Sequence, residues 1–110
     1  MHEIKAIIRR DRLNHVLDAL RLIPEVPGIT VSKVTGVGRR HRGNPTSVVE
    51  YGEVSMSKVE LVVPDAMLSQ AVTSIREAAF TGQPGDGKVF VIAVEQAMKI
   101  RSDEHGIDAL

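Results

Sequence analysis

The chain has 110 residues and a mass of 12.0 kDa, with 14 Lys and Arg against 14 Asp and Glu, 43% apolar residues, one Tyr, two Phe and neither Trp nor Cys. That length predicts a single domain (1–110), the ordinary apolar and charged content excludes disorder for most of it, and the balanced charge excludes whole-surface binding to nucleic acid or membrane. Without cysteine there is no disulfide scaffold or thiolate metal site, and no apolar run approaches the roughly 20 residues that cross a bilayer. Charges interrupt the first apolar stretch, MHEIKAIIRR, so it does not read as a signal peptide. These features predict a cytoplasmic protein that is not inserted in a membrane. Its core must be built from Ile, Val, Leu, Ala and Met, and association would add burial that so few aromatic residues leave short.

From His2 to Arg10, Ile4, Ala6 and Ile8 alternate with Glu3 and Lys5, which predicts a strand with one buried face. Asp11 is placed as an N-cap for a helix whose Leu13, Val16, Leu17 and Leu20 share a face, stopped by Pro24 and Pro27-Gly28. Ile29–Val34 is β-branched and reads as a strand running into Gly36 and Gly38. From Arg39 to about Ser57 the apolar rhythm fails around Gly43, Asn44 and Pro45, predicting a long exposed loop. Val59–Val63 is a short strand, and Asp65 is placed as the cap of a second helix with Leu68, Ala71, Val72, Ile75 and Ala79 on one face. Val89–Val94, a nearly continuous apolar run, predicts a central strand. Met98–Arg101 is read as a short strand and 102–110 as a polar tail. The order β-α-β-β-α-β predicts an α+β, ferredoxin-like sandwich, an antiparallel sheet with two helices on one face. The other face needs a cover, for which a partner subunit is the simplest source.

The octet Thr81-Gly82-Gln83-Pro84-Gly85-Asp86-Gly87-Lys88 carries the strongest chemical signal. It satisfies G-x-x-x-x-G-K, but Val89 stands where a Mg²⁺-binding Ser or Thr is required, and the loop joins a helix to a strand rather than the reverse. A P-loop NTPase is thereby excluded. What survives is a glycine turn able to direct backbone N–H groups at an anion, with Lys88 as a phosphate-suited charge; a plain turn with a solvated lysine is the alternative. Gly36-Val37-Gly38-Arg39 offers a second bare stretch of backbone followed by a cation, or else a strand end. Lys99 and Arg101, two residues apart, form a third cationic place, or else a solvated edge. Arg39-Arg40-His41-Arg42 is short and lacks interleaved aromatic residues, so no nucleic-acid partner is expected. The four histidines have no ligand spacing, Asp86 and Glu60 have no evident partners, and neither a metal site nor an enzyme is expected.

Over Ile4 to about Arg101 the sequence resembles the PII (nitrogen-regulatory P-II) signal-transduction family. The resemblance rests on Gly36-Val37-Gly38-Arg39, on Val59-Glu60-Leu61-Val62-Val63-Pro64-Asp65, and above all on Thr81 through Val91 followed by Lys99-Ile100-Arg101. It implies a homotrimer whose sheets face one another and which binds ATP and ADP, with AMP as a further ligand and Mg²⁺ accompanying ATP, in clefts between subunits. It implies that Gly36, Gly38 and Arg39 approach the phosphates, that Gly85, Asp86, Gly87 and Lys88 cradle them, and that Lys99 and Arg101 reach them from a neighbouring subunit. Thr30, Glu60 and Val62 lie where the family contacts the nucleoside. The loop over 39–57 corresponds to the family's partner-docking T-loop. Arg40 and Met56 stand where nitrogen-sensing members carry a glutamine and a lysine, which suggests a divergent branch that regulates a partner, a membrane transporter being the expected class. The alternatives are a PII-like sensor of a small anion such as bicarbonate, a metal-linked one, and a nucleic-acid module using the basic loop.

Overall fold

The computed structural model describes residues 1–41 and 49–110, with side chains for all of these except 39–41 and 49–51. Strands β1 (His2–Arg9), β2 (Thr30–His41), β3 (Val49–Val63) and β4 (Gly87–Ala93) alternate with helices α1 (Leu13–Arg21) and α2 (Asp65–Ala79) in the order β-α-β-β-α-β. The sheet order is β2-β3-β1-β4 and every pairing is antiparallel. This is the ferredoxin-like plan.

Why the helices lie on one face follows from the pleat. Successive strand residues point to opposite sides, so Ile4, Ala6 and Ile8 on β1 and Val59, Leu61 and Val63 on β3 share a side. They form one core with Val16 and Leu20 of α1 and Ala71, Ile75 and Ala79 of α2. The opposite face carries Glu3, Lys5, Ile7 and Arg9 of β1, Lys58, Glu60 and Val62 of β3, and Lys88, Phe90 and Ile92 of β4. No helix covers it, and Phe90 and Ile92 remain 47% and 42% exposed.

Several local expectations differ from what is found. The span 39–57 is not an open loop: β2 and β3 pair from Thr30–Glu60 out to His41–Val49. Long ladders need no apolar rhythm where neither face of the ribbon lies over the core, so the sequence there carries little strand signal. Gly43, Asn44 and Pro45 fall outside the described residues. Strand β4 is an edge, not a centre, since it pairs with β1 alone. Its apolar run combines a side turned toward the core, where Val89 packs, with an open side that carries Phe90 and Ile92. Met98 makes only an isolated bridge with His105, so Lys99 and Arg101 stand in a turn and not on a strand. The polar tail includes a 3-10 turn over Gly106–Ala109.

Neither expected aspartate cap forms. Asp11 lies within a 3-10 turn (Arg10–Arg12) that precedes α1. There Arg12 is the organising residue: its Nε and Nη2 donate to the Ala78 carbonyl at 2.9 and 2.7 Å, supplying a partner to the last turn of α2. Asp65 is the first residue of α2 rather than its cap, and Pro64 precedes it. Its carboxylate takes the Met1 amine at 3.0 Å and His2 Nδ1 at 2.7 Å. Hydrogen bonds from those two groups, the amine first, hold its carboxyl below the ordinary range.

Burial separates residues that hold the fold from those that do not. Ile75→Ala is expected to cost about 2–5 kcal/mol of unfolding free energy, and Leu22→Ala, at an 83% exposed position, less than about 0.5. Urea denaturation of the two variants checks this.

Candidate functional site

The register sorts the candidate residues into rows on the open face. Glu3 stands beside Val62; Lys5 lies between Phe90 and Glu60, with Thr30 beyond; Ile7 lies between Lys88 and Lys58. One row further, Arg9 faces Met56, and beyond that come Gly36 opposite Val54 and Gly38 opposite Gly52. The nucleoside candidates therefore sit toward one end of the sheet and the phosphate candidates toward the other. They are also divided laterally. Gly36 and Gly38 lie on β2 and Gly87 and Lys88 on β4, opposite edges three strand spacings apart, or about 14 Å.

Thr30, Glu60 and Val62 come together in a cleft of about 390 Å³, whose wall also includes Glu3 and, from the C-terminal turn, Ala109 and Leu110. Glu60, without evident partners in the sequence, has two here. Lys58 Nζ is 3.1 Å from its Oε1, and the Glu3 carboxyl is hydrogen-bonded with it. That bond raises the Glu3 carboxyl above its ordinary range, with partial burial and the Glu60 charge adding to the effect. It lowers Glu60, Lys58 acting in the same direction. Glu3 was missed by the sequence reading. Alternation places it on the open face, but only the register brings it beside Glu60.

The Thr81–Lys88 loop is built around its own carboxylate. Asp86 accepts the Thr81 and Gly82 backbone N–H groups at 2.9 and 3.0 Å, the Thr81 hydroxyl, and Arg9 Nε at 2.8 Å. The Thr81 hydroxyl contributes most, and Arg9 next, to a pKa far below the ordinary carboxylate range. Arg9 Nη2 also donates to the Pro84 carbonyl at 2.6 Å. So two of the amides that glycine geometry directs inward are already filled by Asp86. The Asp86 N–H closes the turn over Pro84 and Gly85, whereas among the described residues the Gly85 N–H donates to no protein acceptor.

The glycines of this loop are demanded by the chain itself. Gly82, Gly85 and Gly87 have φ of +83°, +94° and +98°, and a Cβ on Gly87 would lie 1.8 Å from the Ile7 carbonyl oxygen. Gly36 and Gly38 are different. Neither has positive φ, a Cβ on Gly36 would make only ordinary contacts, and one on Gly38 would meet nothing within 4 Å. Their bare backbone has no explanation among the described residues. Arg39 follows them, its side chain outside the described set. Lys99 Nζ lies 3.8 Å from Glu104 Oε1, and Arg101 is exposed in the adjoining turn. The expected cationic places are thus three separate places in one chain.

The family model described as Nitrogen regulatory protein P-II matches residues 1–104. The chain belongs to the PII family. It is 41% identical over 116 aligned positions to the Nitrogen regulatory protein P-II of Rhodospirillum rubrum, with both chains covered in full. It is likewise 41% identical to Nitrogen regulatory protein P-II 1 of Methanothermobacter thermautotrophicus, covering all of this chain and 97% of that one. Among solved structures, Arabidopsis thaliana PII bound to citrate superposes with a TM-score of 0.82 at 34% identity, covering 99% of this chain and 91% of that one. GlnK of B. subtilis superposes at 0.86 and 27% identity, covering 99% and 97%. Among the described residues no helix is long and apolar enough to cross a membrane.

Two outcomes are expected for this PII protein. Gly87→Ala should cost about 2–4 kcal/mol, from backbone strain and the clash with Ile7, whereas Gly38→Ala should leave the unfolding free energy within about 0.5. Asp86 has a depressed native pKa, so its stabilising contribution is present above the ordinary carboxylate pKa and is lost as pH falls through the native value. Asp86→Asn should therefore flatten the acid limb of a stability–pH profile measured by denaturation.

Proposed function

We propose that this PII protein is a homotrimeric signal-transduction protein that binds ATP and ADP between subunits and regulates a partner through its β2–β3 arm. The observation that carries the reading is the division of the candidate site between two edges of one sheet. Bare backbone at Gly36 and Gly38, with Arg39, lies on one edge, and the Gly85–Lys88 turn lies on the other, too far apart for one phosphate chain to join within a subunit. A second copy brought against the open face would supply the missing half and cover Phe90 and Ile92. Lys99 and Arg101, standing in a turn outside the sheet, suit a role at a neighbour's site.

Each part of the site has a matching task. The Gly85 amide and Lys88 take phosphate oxygens, and the Thr30, Glu60 and Val62 cleft takes the nucleoside, with Glu60 accepting hydrogen bonds from hydroxyl or amine groups. AMP, with one phosphate, would bind more weakly, and Mg²⁺ would enter with ATP. The role is binding rather than turnover, because the one carboxylate of the phosphate loop is engaged by Arg9 and Thr81 and is unavailable as a general base. Ligand binding at the base of the arm would shift its docking-competent population in proportion to the difference in affinity for its states. The family resemblance supports a cytosolic protein whose target is a membrane transporter.

Calorimetric titration with ATP, ADP, AMP and adenosine, alongside a sedimentation mass, tests this. A mass three times 12.0 kDa and ATP binding that Lys88→Ala weakens by about 1–3 kcal/mol are expected. A monomer, or ATP affinity unaltered in folded Lys88→Ala protein, would overturn the reading.

A further inference from the structure

A loop that is to hold an anion here carries an anion of its own. The charges of Asp86 and Lys88 cancel, and the Pro84 carbonyl oxygen adds a second electronegative group beside the Gly85 amide. Phosphate approaching that turn would meet repulsion as well as donors. The guanidinium of Arg9 answers both. It reaches the turn from β1 with Nε 2.8 Å from Asp86 Oδ1 and Nη2 2.6 Å from the Pro84 oxygen, and a Cβ on Gly85 would lie 3.4 Å from Nη2. The planar fork thus spans the two electronegative groups and lies alongside the backbone between them.

We propose that Arg9 is a positioning residue of the phosphate site, neutralising Asp86 and engaging Pro84 so that the Gly85 amide and Lys88 present a net positive surface to an incoming anion. The inference rests on the nucleotide reading above. Arg9 itself touches no phosphate; it acts through the loop. Its placement is dictated by the same alternation that buries Ile4, Ala6 and Ile8, since the next residue of β1 after Ile8 turns to the open face, opposite Met56.

The test is a double-mutant cycle read by calorimetry with ATP and with adenosine, using the full chain, Arg9→Lys, Arg9→Met, Asp86→Asn and Arg9→Met with Asp86→Asn. Arg9→Met is expected to weaken ATP about 10- to 100-fold while changing adenosine less than about 2-fold, with Arg9→Lys between wild type and Arg9→Met. In the Asp86→Asn background the effect of Arg9→Met on ATP should shrink to less than about 3-fold, since there is no charge left to neutralise. Equal losses for ATP and adenosine, or an undiminished loss in the Asp86→Asn background, would overturn the proposal. Amide hydrogen exchange over Gly85–Lys88 in nucleotide-free protein gives a readout independent of binding. Arg9→Met should speed it about 10-fold with α2 unchanged, and unaltered exchange would sink the positioning role even if wild type bound no nucleotide. Failure of wild type to bind ATP, with exchange accelerated in Arg9→Met, would count against the nucleotide reading alone.

Discussion

The carboxylate of Asp86 fixes the shape of the loop on which the candidate site depends. Four donors converge on it, from Thr81, Gly82 and Arg9. The result is a turn whose path is set before any ligand arrives, at the cost of two amides and one unit of negative charge. A turn held this way has little conformational entropy left to lose on binding. The same contact ties the loop to β1, a strand with neighbours on both sides. Loop geometry is therefore referred to the middle of the sheet and not to its edge.

From that anchoring the division of labour between glycines becomes intelligible. Gly82, Gly85 and Gly87 are required by positive φ and by the close approach of β4 to Ile7, so they would be glycines in a protein that bound nothing. Gly36 and Gly38 meet no such requirement. The order of chemical interest read from sequence is thus partly inverted: the conspicuous glycine octet is chiefly a folding device with a spare amide at Gly85, while the modest Gly36-Val37-Gly38 stretch is bare for no reason found among the described residues.

How far the sequence could be read depended on which physical signal each element carried. Strand β1 and both helices were legible because their apolar positions recur with the period of the element and face one core. The arm formed by β2 and β3 was not, since beyond the core a two-stranded ribbon is held by backbone hydrogen bonds that leave no apolar period. Strand β4 was found but misplaced, because Phe90 and Ile92 on an uncovered face look the same in sequence as residues on a covered one. The site was legible as residue types: Thr30, Glu60 and Val62 do share a cleft, and Gly85 to Lys88 do form one turn. Its partners were not. Arg9 and Glu3 reveal their roles only through contacts spanning 77 and 57 positions, set by register and loop path.

The two ends of the open face have opposite chemistry. At one end stand the Gly85 amide, without an acceptor among the described residues, and Lys88, with Arg9 cancelling the fixed negative charge of Asp86 between them. At the other stands the carboxyl pair of Glu3 and Glu60, in which their mutual hydrogen bond raises Glu3 and lowers Glu60, with Lys58 adding to the second effect. A ligand complementary to both ends is negative at one terminus and rich in hydroxyl or amine donors at the other. An inorganic anion satisfies only the first end, and a nucleic-acid backbone, negative along its length, is repelled by the second. On the proposed reading a nucleotide would satisfy both, and it would do so in one orientation. Reversing it would set phosphate against Glu60 and leave the Gly85 amide of the loop without an acceptor, each error costing on the order of 1–3 kcal/mol.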